Sequence, residues 1–160
     1  RPGTGMLINN EMDDFSSKPG VPNGYGLLGS EANSIQGDKR PLSSMTPTII
    51  FKDKNPYFVL GSPGGSRIIT TVLQVALNVM EHDMNIAQAV NSPRMHHQWL
   101  PEVLMLEDGF SPDTIEILED KGYQIYPSRT MGSVQAIVKE GDYFYGAADP
   151  RRPDSGAVAP

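Results

Sequence analysis

The segment from residue 60 to 67 has the composition of a strand-to-helix turn that binds negative charge; it reads L-G-S-P-G-G-S-R. A glycine pair lets the backbone turn sharply and approach a ligand closely. The first turn of a helix leaves amide groups unpaired, and its dipole favours an anion. Gly64 and Gly65 are therefore candidates for binding a phosphate, a carboxylate or a developing oxyanion. The alternative is a tight turn in which the glycines serve packing alone.

Two further clusters of polar residues could bind the two charged groups of an amino acid. Glu11, Asp13 and Asp14 place three carboxylates within four positions. One that faces inward could bind an ammonium group or a metal, although the spacing does not match the helix–loop–helix calcium motif. Ser43 and Ser44 could donate two hydrogen bonds to one carboxylate. The alternatives are a solvated acidic turn and ordinary loop polarity.

The other reactive side chains fit known catalytic patterns poorly. Ser62 precedes a proline and lacks the G-x-S-x-G spacing of a nucleophile elbow. His96 and His97 are adjacent, so their side chains diverge, and without cysteines a histidine-rich zinc site is disfavoured. We expect a structural role for this segment, with Trp99 buried and one histidine hydrogen-bonded. No metal or other cofactor is expected.

The composition is that of a globular protein of one domain's size, with 160 residues, 38% hydrophobic and 20% charged. The net charge of −6 argues against nucleic-acid binding. The absence of cysteine excludes disulfides and thiolate metal sites. Because the chain opens with Arg1-Pro2-Gly3, we expect residues 1–160 to be a single-domain portion of a larger, processed protein.

Hydrophobic patterning predicts the elements that position these residues. Strands are predicted over residues 6–9, 48–52, 57–60, 123–126, 134–139 and 143–147, with a hairpin turn at 53–55. Helices are predicted to about residue 82, over 86–91, and from Ser111 to Gly122; the first would bury Ile69, Val72, Leu73, Ala76 and Met80. The long irregular stretch 16–47 is typical of a lid or binding loop. This order favours an α+β domain with a mostly antiparallel sheet and helices on a face.

Five segments, in this order, resemble the γ-glutamyltranspeptidases (glutathione hydrolases): NNEMDDF at 9–15, KRPLSSM at 39–45, GSPGGSR at 61–67, PRMHHQW at 93–99 and GAADPR at 146–151. The resemblance implies part of an N-terminal-nucleophile hydrolase, an αββα sandwich. In that family a precursor cleaves itself, and the new N-terminal threonine attacks the γ-glutamyl amide of glutathione, with its own amine as base. Water, an amino acid or a dipeptide then takes the γ-glutamyl group from the acyl-enzyme.

The resemblance also implies what this chain lacks. Gly64 and Gly65 match the oxyanion-hole glycines, but the nucleophilic threonine lies a few dozen residues before NNEMDDF, and Thr4 is too close to Asn9 to be it. An arginine that contacts the substrate carboxylate belongs to the large subunit. We therefore expect the chain alone to be inactive and to need the large subunit of the same precursor. Periplasmic or secreted location follows from the family alone.

The substrate contacts that the resemblance implies agree with the polar clusters. Glu11 and Asp14 match the residues that hold the α-amino group of the γ-glutamyl moiety, Ser43 and Ser44 match the pair that binds its α-carboxylate, and Tyr25 matches a lid residue of some bacterial members. A related glutaryl-cephalosporin acylase is disfavoured because a glutaryl group has no amine to hold. A phosphate-binding module, which would lack the P-loop lysine, and a non-catalytic binding subunit remain as alternatives.

Overall fold

The computed structural model describes residues 3–5 and 9–158. The chain divides into two compact units, residues 1–43 and 44–160. The strand predicted over residues 6–9 falls mainly on residues 6–8, which lie outside the described residues. No helix in the described part of the chain is long and apolar enough to cross a membrane.

The first unit is mostly irregular, as the sequence predicts for residues 16–47. It contains two short 3-10 turns, Glu11–Asp14 and Glu31–Asn33. The Asn33 side chain connects distant parts of this unit: its amide nitrogen donates to the Asp14 carbonyl at 2.7 Å, and its oxygen accepts the Leu42 amide at 2.9 Å. This side chain and a few isolated backbone pairs, such as the Ser16 amide on the Asn33 carbonyl at 2.9 Å, satisfy backbone groups that no regular sheet or helix pairs here.

The second unit holds the regular elements, and most of their predicted bounds are within two residues of the observed ones. In chain order they are β1 (Thr48–Lys52), β2 (Asn55–Gly61), α1 (Arg67–Met80), α2 (Ile86–Asn91), β3 (Met95–His96), β4 (Leu104–Glu107), α3 (Pro112–Asp120), β5 (Ile125–Ser128), β6 (Gln135–Glu140) and β7 (Tyr143–Ala148). The turn between β1 and β2 has positive φ at both Asp53 and Lys54, which is the hairpin geometry that follows the strand twist.

The main sheet has the order β1-β2-β6-β7 with every neighbour antiparallel. Because side chains alternate across a strand, its two faces differ. Phe58 pairs with Val138 and Leu60 with Ala136; these four are buried in one core with residues of α1 and α2. The opposite face carries the paired residues Ile49, Val59 and Ile137, which are 43–58% exposed.

The buried side of α1 differs from the predicted one. The buried residues are Ile68, Thr71, Val72, Val75 and Val79, whereas Ile69, Leu73 and Met80 are exposed. The prediction was wrong for these three because apolar residues cover two adjacent stripes of this helix, about one residue apart. Periodicity identifies such a helix, but the sheet on which it packs selects the stripe that is buried.

A second, smaller sheet has the order β3-β4-β5. Strands β4 and β5 are parallel and connected through α3, whose first turn is capped by the Ser111 hydroxyl on the Thr114 amide at 3.2 Å. The short strands β3 and β4 were not predicted, and neither was the parallel pairing of β4 with β5, because pairing between segments distant in sequence leaves no local pattern. The prediction of an α+β class with mostly antiparallel strands is confirmed.

Candidate active site

Gly64 and Gly65 lie in the connection between β2 and α1. Their φ angles are 143° and 58°, in the region that residues with a Cβ atom rarely adopt. Their carbonyl oxygens accept the amides of Arg67 and Ile68 at 3.2 and 3.1 Å. Within residues 3–5 and 9–158, no acceptor pairs with either glycine amide. Two N–H groups at the start of a 14-residue helix are thus available to a negatively charged atom.

One side of this turn is supported by residues 131–134. The Ser62 hydroxyl donates to the Pro63 carbonyl at 2.7 Å and accepts the Ser133 amide at 2.9 Å. Gly132 passes so close that a Cβ atom there would lie 2.5 Å from the Ser62 hydroxyl oxygen and 3.0 Å from the Thr71 methyl carbon. Only glycine allows this approach. Ser62 therefore has a structural task in this turn.

A buried network of charges fixes both ends of segment 131–134. The Glu107 carboxylate accepts the amides of Arg94 and Met131 at 3.0 and 2.5 Å. The Arg94 guanidinium donates to the Met131 carbonyl at 2.7 Å and to the Asp149 carboxylate at 2.6 Å. Asp149 in turn accepts the Val134 amide at 2.7 Å. Charged side chains directly before β3, at the end of β4 and directly after β7 thereby hold the segment that supports the glycine turn.

Arg151 completes this network with a second positive charge. It contacts Glu107 at 2.5 Å and Asp149 at 3.1 Å, so two arginines face two carboxylates. Burial raises the pKa of Asp149, but hydrogen bonds from the Val134 and Arg151 amides and from Arg94 outweigh burial and hold the pKa below its ordinary value. Burial lowers the pKa of Arg94. Each buried charge is compensated by a partner, which is what such a site requires.

The other side of the turn is bonded to β3 and the residues after it. The buried His96 ring places Nδ1 2.7 Å from the Thr70 hydroxyl and Nε2 2.8 Å from the Gln98 side-chain oxygen. That oxygen also accepts the Ser66 hydroxyl at 2.8 Å. Burial is the largest effect and lowers the pKa of His96. The hydrogen bond to Gln98 raises it, the charges of Arg67 and His97 lower it further, and the net shift is downward. His96 is thus neutral at pH 7, and donation from Nε2 to Gln98 fits its contacts.

The expectation of a buried Trp99 is wrong, since this side chain is 75% exposed. Its φ of 73° places the residue in the left-handed region within the turn after β3. The backbone there directs Gln98, rather than Trp99, toward α1. The accompanying expectation is confirmed, because both histidines are hydrogen-bonded: the His97 ring accepts the Trp99 amide at 3.2 Å.

In the first unit, the structure places Glu11 and Asp14 at the two ends of one 3-10 turn. Residues three apart eclipse one another in such a turn, so Glu11 and Asp14 lie on the same side of it and Asp13 on another. Asp14 is half-buried and lines a cavity of about 120 Å³. Tyr25 lies in a turn over residues 23–27, in which the Asn23 side-chain oxygen accepts the Tyr25 amide at 3.0 Å.

Ser43 and Ser44 lie on either side of the boundary between the two units. Ser43 is exposed and Ser44 is half-buried, with the Ser44 carbonyl accepting the Thr46 hydroxyl at 3.0 Å. The substrate contacts assigned to Glu11, Asp14, Ser43, Ser44 and Tyr25, and the oxyanion role of the glycines, remain predictions. Among the residues whose placement is described, no group of three or more His, Cys, Asp or Glu could hold a metal ion.

Comparison with known proteins identifies the chain's relatives. Residues 1–159 match the family described as gamma-glutamyltranspeptidase. The chain belongs to the γ-glutamyltranspeptidase family. It is 57% identical to the glutathione hydrolase proenzyme of Escherichia coli K12 over 94% of this chain but only 26% of that protein. It therefore spans about a quarter of the length of the curated relatives it matches first.

Solved γ-glutamyltranspeptidases share the fold. An acivicin-inhibited member superposes with a TM-score of 0.89 at 54% identity, covering 95% of this chain and 84% of that one. The enzyme from Pseudomonas nitroreducens complexed with L-DON gives 0.89 at 41% identity, covering 100% and 85%. The N-terminal-nucleophile hydrolase fold expected from the resemblance is confirmed by these likenesses.

Sequence reasoning missed the supports around the glycine turn. The buried charges Arg94, Asp149 and Arg151 stand within two of the quoted segments, PRMHHQW and GAADPR, yet nothing in the sequence shows that they meet. The available signal was a charged residue inside an otherwise apolar or turn-forming segment. Gln98 was overlooked because its neighbours, two histidines and a tryptophan, have more distinctive chemistry.

Proposed function

We propose that this chain is the C-terminal part of the small subunit of a γ-glutamyltransferase and glutathione hydrolase. The reaction transfers the γ-glutamyl group of glutathione or a related γ-glutamyl amide to water, an amino acid or a dipeptide. The nucleophile is the N-terminal threonine of the small subunit, which the family resemblance places outside residues 1–160. The threonine oxygen forms the acyl bond as the C–N bond of the amide breaks, and the leaving amine takes the proton.

The observation that carries this proposal is the pair of unpaired amides at Gly64 and Gly65. Attack on an amide carbonyl moves negative charge onto its oxygen, and two fixed N–H donors stabilise that charge without having to reorganise. Such a donor typically contributes about 100- to 1,000-fold in kcat. The positive end of the α1 dipole adds to the same effect. These features support acyl transfer at this turn.

The choice of a γ-glutamyl group rests on the first unit and on the serines. Glu11 and Asp14 share a side of one turn, which suits an ammonium group, and Ser43 and Ser44 suit a carboxylate. A glutaryl group has the carboxylate but no ammonium, so a carboxylate pair directed at it would be left without a partner charge. The acidic pair therefore favours a γ-glutamyl substrate over a glutaryl one.

The large subunit of the same precursor is the partner that we propose. The outer face of the main sheet, with Ile49, Val59 and Ile137, is apolar and exposed in this chain. A contiguous apolar face of this kind is typical of a surface that another layer covers. In an αββα sandwich, this layer is the sheet that faces the main sheet, and we propose that the large subunit contributes to it. By family resemblance the assembled enzyme is periplasmic or secreted.

The test uses the complete precursor that contains this chain, after self-cleavage, with matched γ-glutamyl and glutaryl anilides. Asp14→Asn keeps the shape of the side chain but removes its charge, and Asp13→Asn is the control on the same turn. We expect Asp14→Asn to lower kcat/KM for the γ-glutamyl anilide by about 30- to 1,000-fold, as loss of a charge-assisted hydrogen bond of about 2–4 kcal/mol requires.

The glutaryl anilide distinguishes substrate recognition from general damage to the enzyme. The wild-type enzyme should hydrolyse the glutaryl anilide slowly. Asp14→Asn should not change that rate, because a glutaryl group has no ammonium group for Asp14 to bind. If Asp14→Asn lowered kcat/KM equally for both anilides, Asp14 would not be a residue that recognises the amine. A wild-type enzyme that prefers the glutaryl compound would support the acylase alternative instead.

A further inference from the structure

Ser66 occupies the N-cap position of α1 but does not act as a cap. A serine at this position usually accepts an amide of the first helical turn. Here its backbone is helical, with φ of −57° and ψ of −25°, and its side chain accepts no amide bond. The hydroxyl instead donates to the Gln98 side chain at 2.8 Å. Ser66, which follows Gly65, is thus hydrogen-bonded to the segment after β3 and not to its own helix.

Gln98 is itself fixed at both ends of its amide group. Its nitrogen donates to the Leu100 carbonyl at 3.1 Å, and its oxygen receives His96 as well as Ser66. His96 contacts the Thr70 hydroxyl, which stands one helical turn after Ser66. The chain Ser66–Gln98–His96–Thr70 therefore closes a ring that begins and ends on α1. His96 is buried and Gln98 is half-buried, so these hydrogen bonds are stronger than they would be in water.

We propose that Gln98, oriented by His96, is a positioning residue that holds the Gly64–Gly65 amides in place through the Ser66 hydroxyl. This rests on the proposed oxyanion role of the two glycines. Gly132 limits movement of the turn on one side, and the ring through Gln98 limits movement of the helix start on the other. Donors held in this way stabilise a developing charge most, because they need not move as it forms.

The glycines themselves are poor targets for a test. Both have φ angles that favour glycine, so any substitution strains the backbone as well as changing the donors. The Ser66 hydroxyl and the Gln98 amide can be removed without altering backbone preference in this way. They are therefore the cleaner variants with which to loosen the turn.

The experiment compares Ser66→Ala, Gln98→Ala and the double variant in the complete, self-cleaved enzyme acting on a γ-glutamyl anilide. Active sites are counted from the burst of released aniline, so that kcat refers to competent enzyme only. We expect each single variant to lose about 10-fold in kcat with little change in the binding of a γ-glutamyl competitive inhibitor. Since both variants remove the same Ser66–Gln98 bond, the double variant should lose no more than about the larger single loss.

Two further variants make the result specific. Ser66→Thr retains the hydroxyl and should keep most of the activity, whereas Gln124→Ala, at an exposed glutamine of the same unit, should match the wild type. Losses that multiply in the double variant, or that fall on inhibitor binding instead of kcat, would overturn the proposal. So would a Ser66→Ala enzyme with wild-type kcat. If the wild-type enzyme has no γ-glutamyl activity, the proposed function fails first, and the two failures are thereby distinguished.

Discussion

Asp149→Asn should destabilise the protein strongly, although it preserves the shape of the side chain. One carboxylate oxygen accepts Arg94 and the Val134 amide, and the other accepts the backbone amide and the guanidinium of Arg151. An asparagine has one acceptor oxygen and one donor nitrogen. In either orientation of the amide, its NH₂ group faces two N–H donors. Rotation cannot relieve this conflict, because both carboxylate oxygens are used twice.

The magnitude follows from the burial of the pair. Arg94 and Asp149 have side-chain exposures of 1% and 0%. Breaking a buried pair by removing one partner costs about 3–5 kcal/mol, because the remaining charge is uncompensated. Glu107 lies near Arg94, but its carboxylate is engaged with Arg151. We therefore expect a loss near this range rather than the few tenths of a kcal/mol typical of a surface carboxylate.

The assay is urea unfolding of the complete, self-cleaved protein, followed by fluorescence. A loss of this size should lower the unfolding midpoint by about 1 M or more, given slopes of about 1–3 kcal/mol per M. Asp154→Asn is the matched control, since Asp154 is exposed and lies five residues further on. Midpoints of the two variants that agree within about 0.2 M would show that the loss of the Asp149 charge leaves no uncompensated buried charge.

The same pair gives a pH dependence with a defined sign. The pKa of Asp149 is lower in the folded protein than the value of about 3.9 in an unfolded chain. Its contribution is then fully present above about pH 4 and is lost as the pH falls through the lower, folded value. The stability difference between wild type and Asp149→Asn should therefore be constant from pH 7 to 5 and shrink below pH 4. A difference that grows on acidification would contradict this assignment.

Two other changes test the packing. In thermal unfolding, Gly132→Ala should destabilise the protein by about 1–3 kcal/mol more than Gly141→Ala. Both glycines have positive φ, but only a Cβ atom at 132 would meet Ser62 and Thr71. Equal losses would show that backbone strain alone matters. Residues 1–160 expressed alone should aggregate or bind a hydrophobic dye, because Ile49, Val59 and Ile137 are exposed together on one sheet face; a monomer with a sharp, cooperative thermal transition would refute this.

The regular elements of the second unit could be predicted because their signals are local. The Ser111 cap before Pro112 in α3, the Pro93 that follows the end of α2, and the turn after β1 each depend on a few adjacent residues. Short strands such as β3 and β4 lack such signals. They exist because neighbouring strands complete their backbone hydrogen bonds, and a neighbour distant in sequence leaves no local pattern.

The sequence by itself determined the glycine turn, the candidate carboxylates and serines, and, through several motifs in one order, the family. These features are properties of residue type and spacing. Only the tertiary structure decided which stripe of α1 is buried, that Gln98 rather than Trp99 faces the helix, and that Arg94 and Asp149 meet across 55 positions. The physical reason is that burial and charge pairing depend on which surfaces come together, and many arrangements of the same local elements satisfy the same sequence pattern until packing selects one.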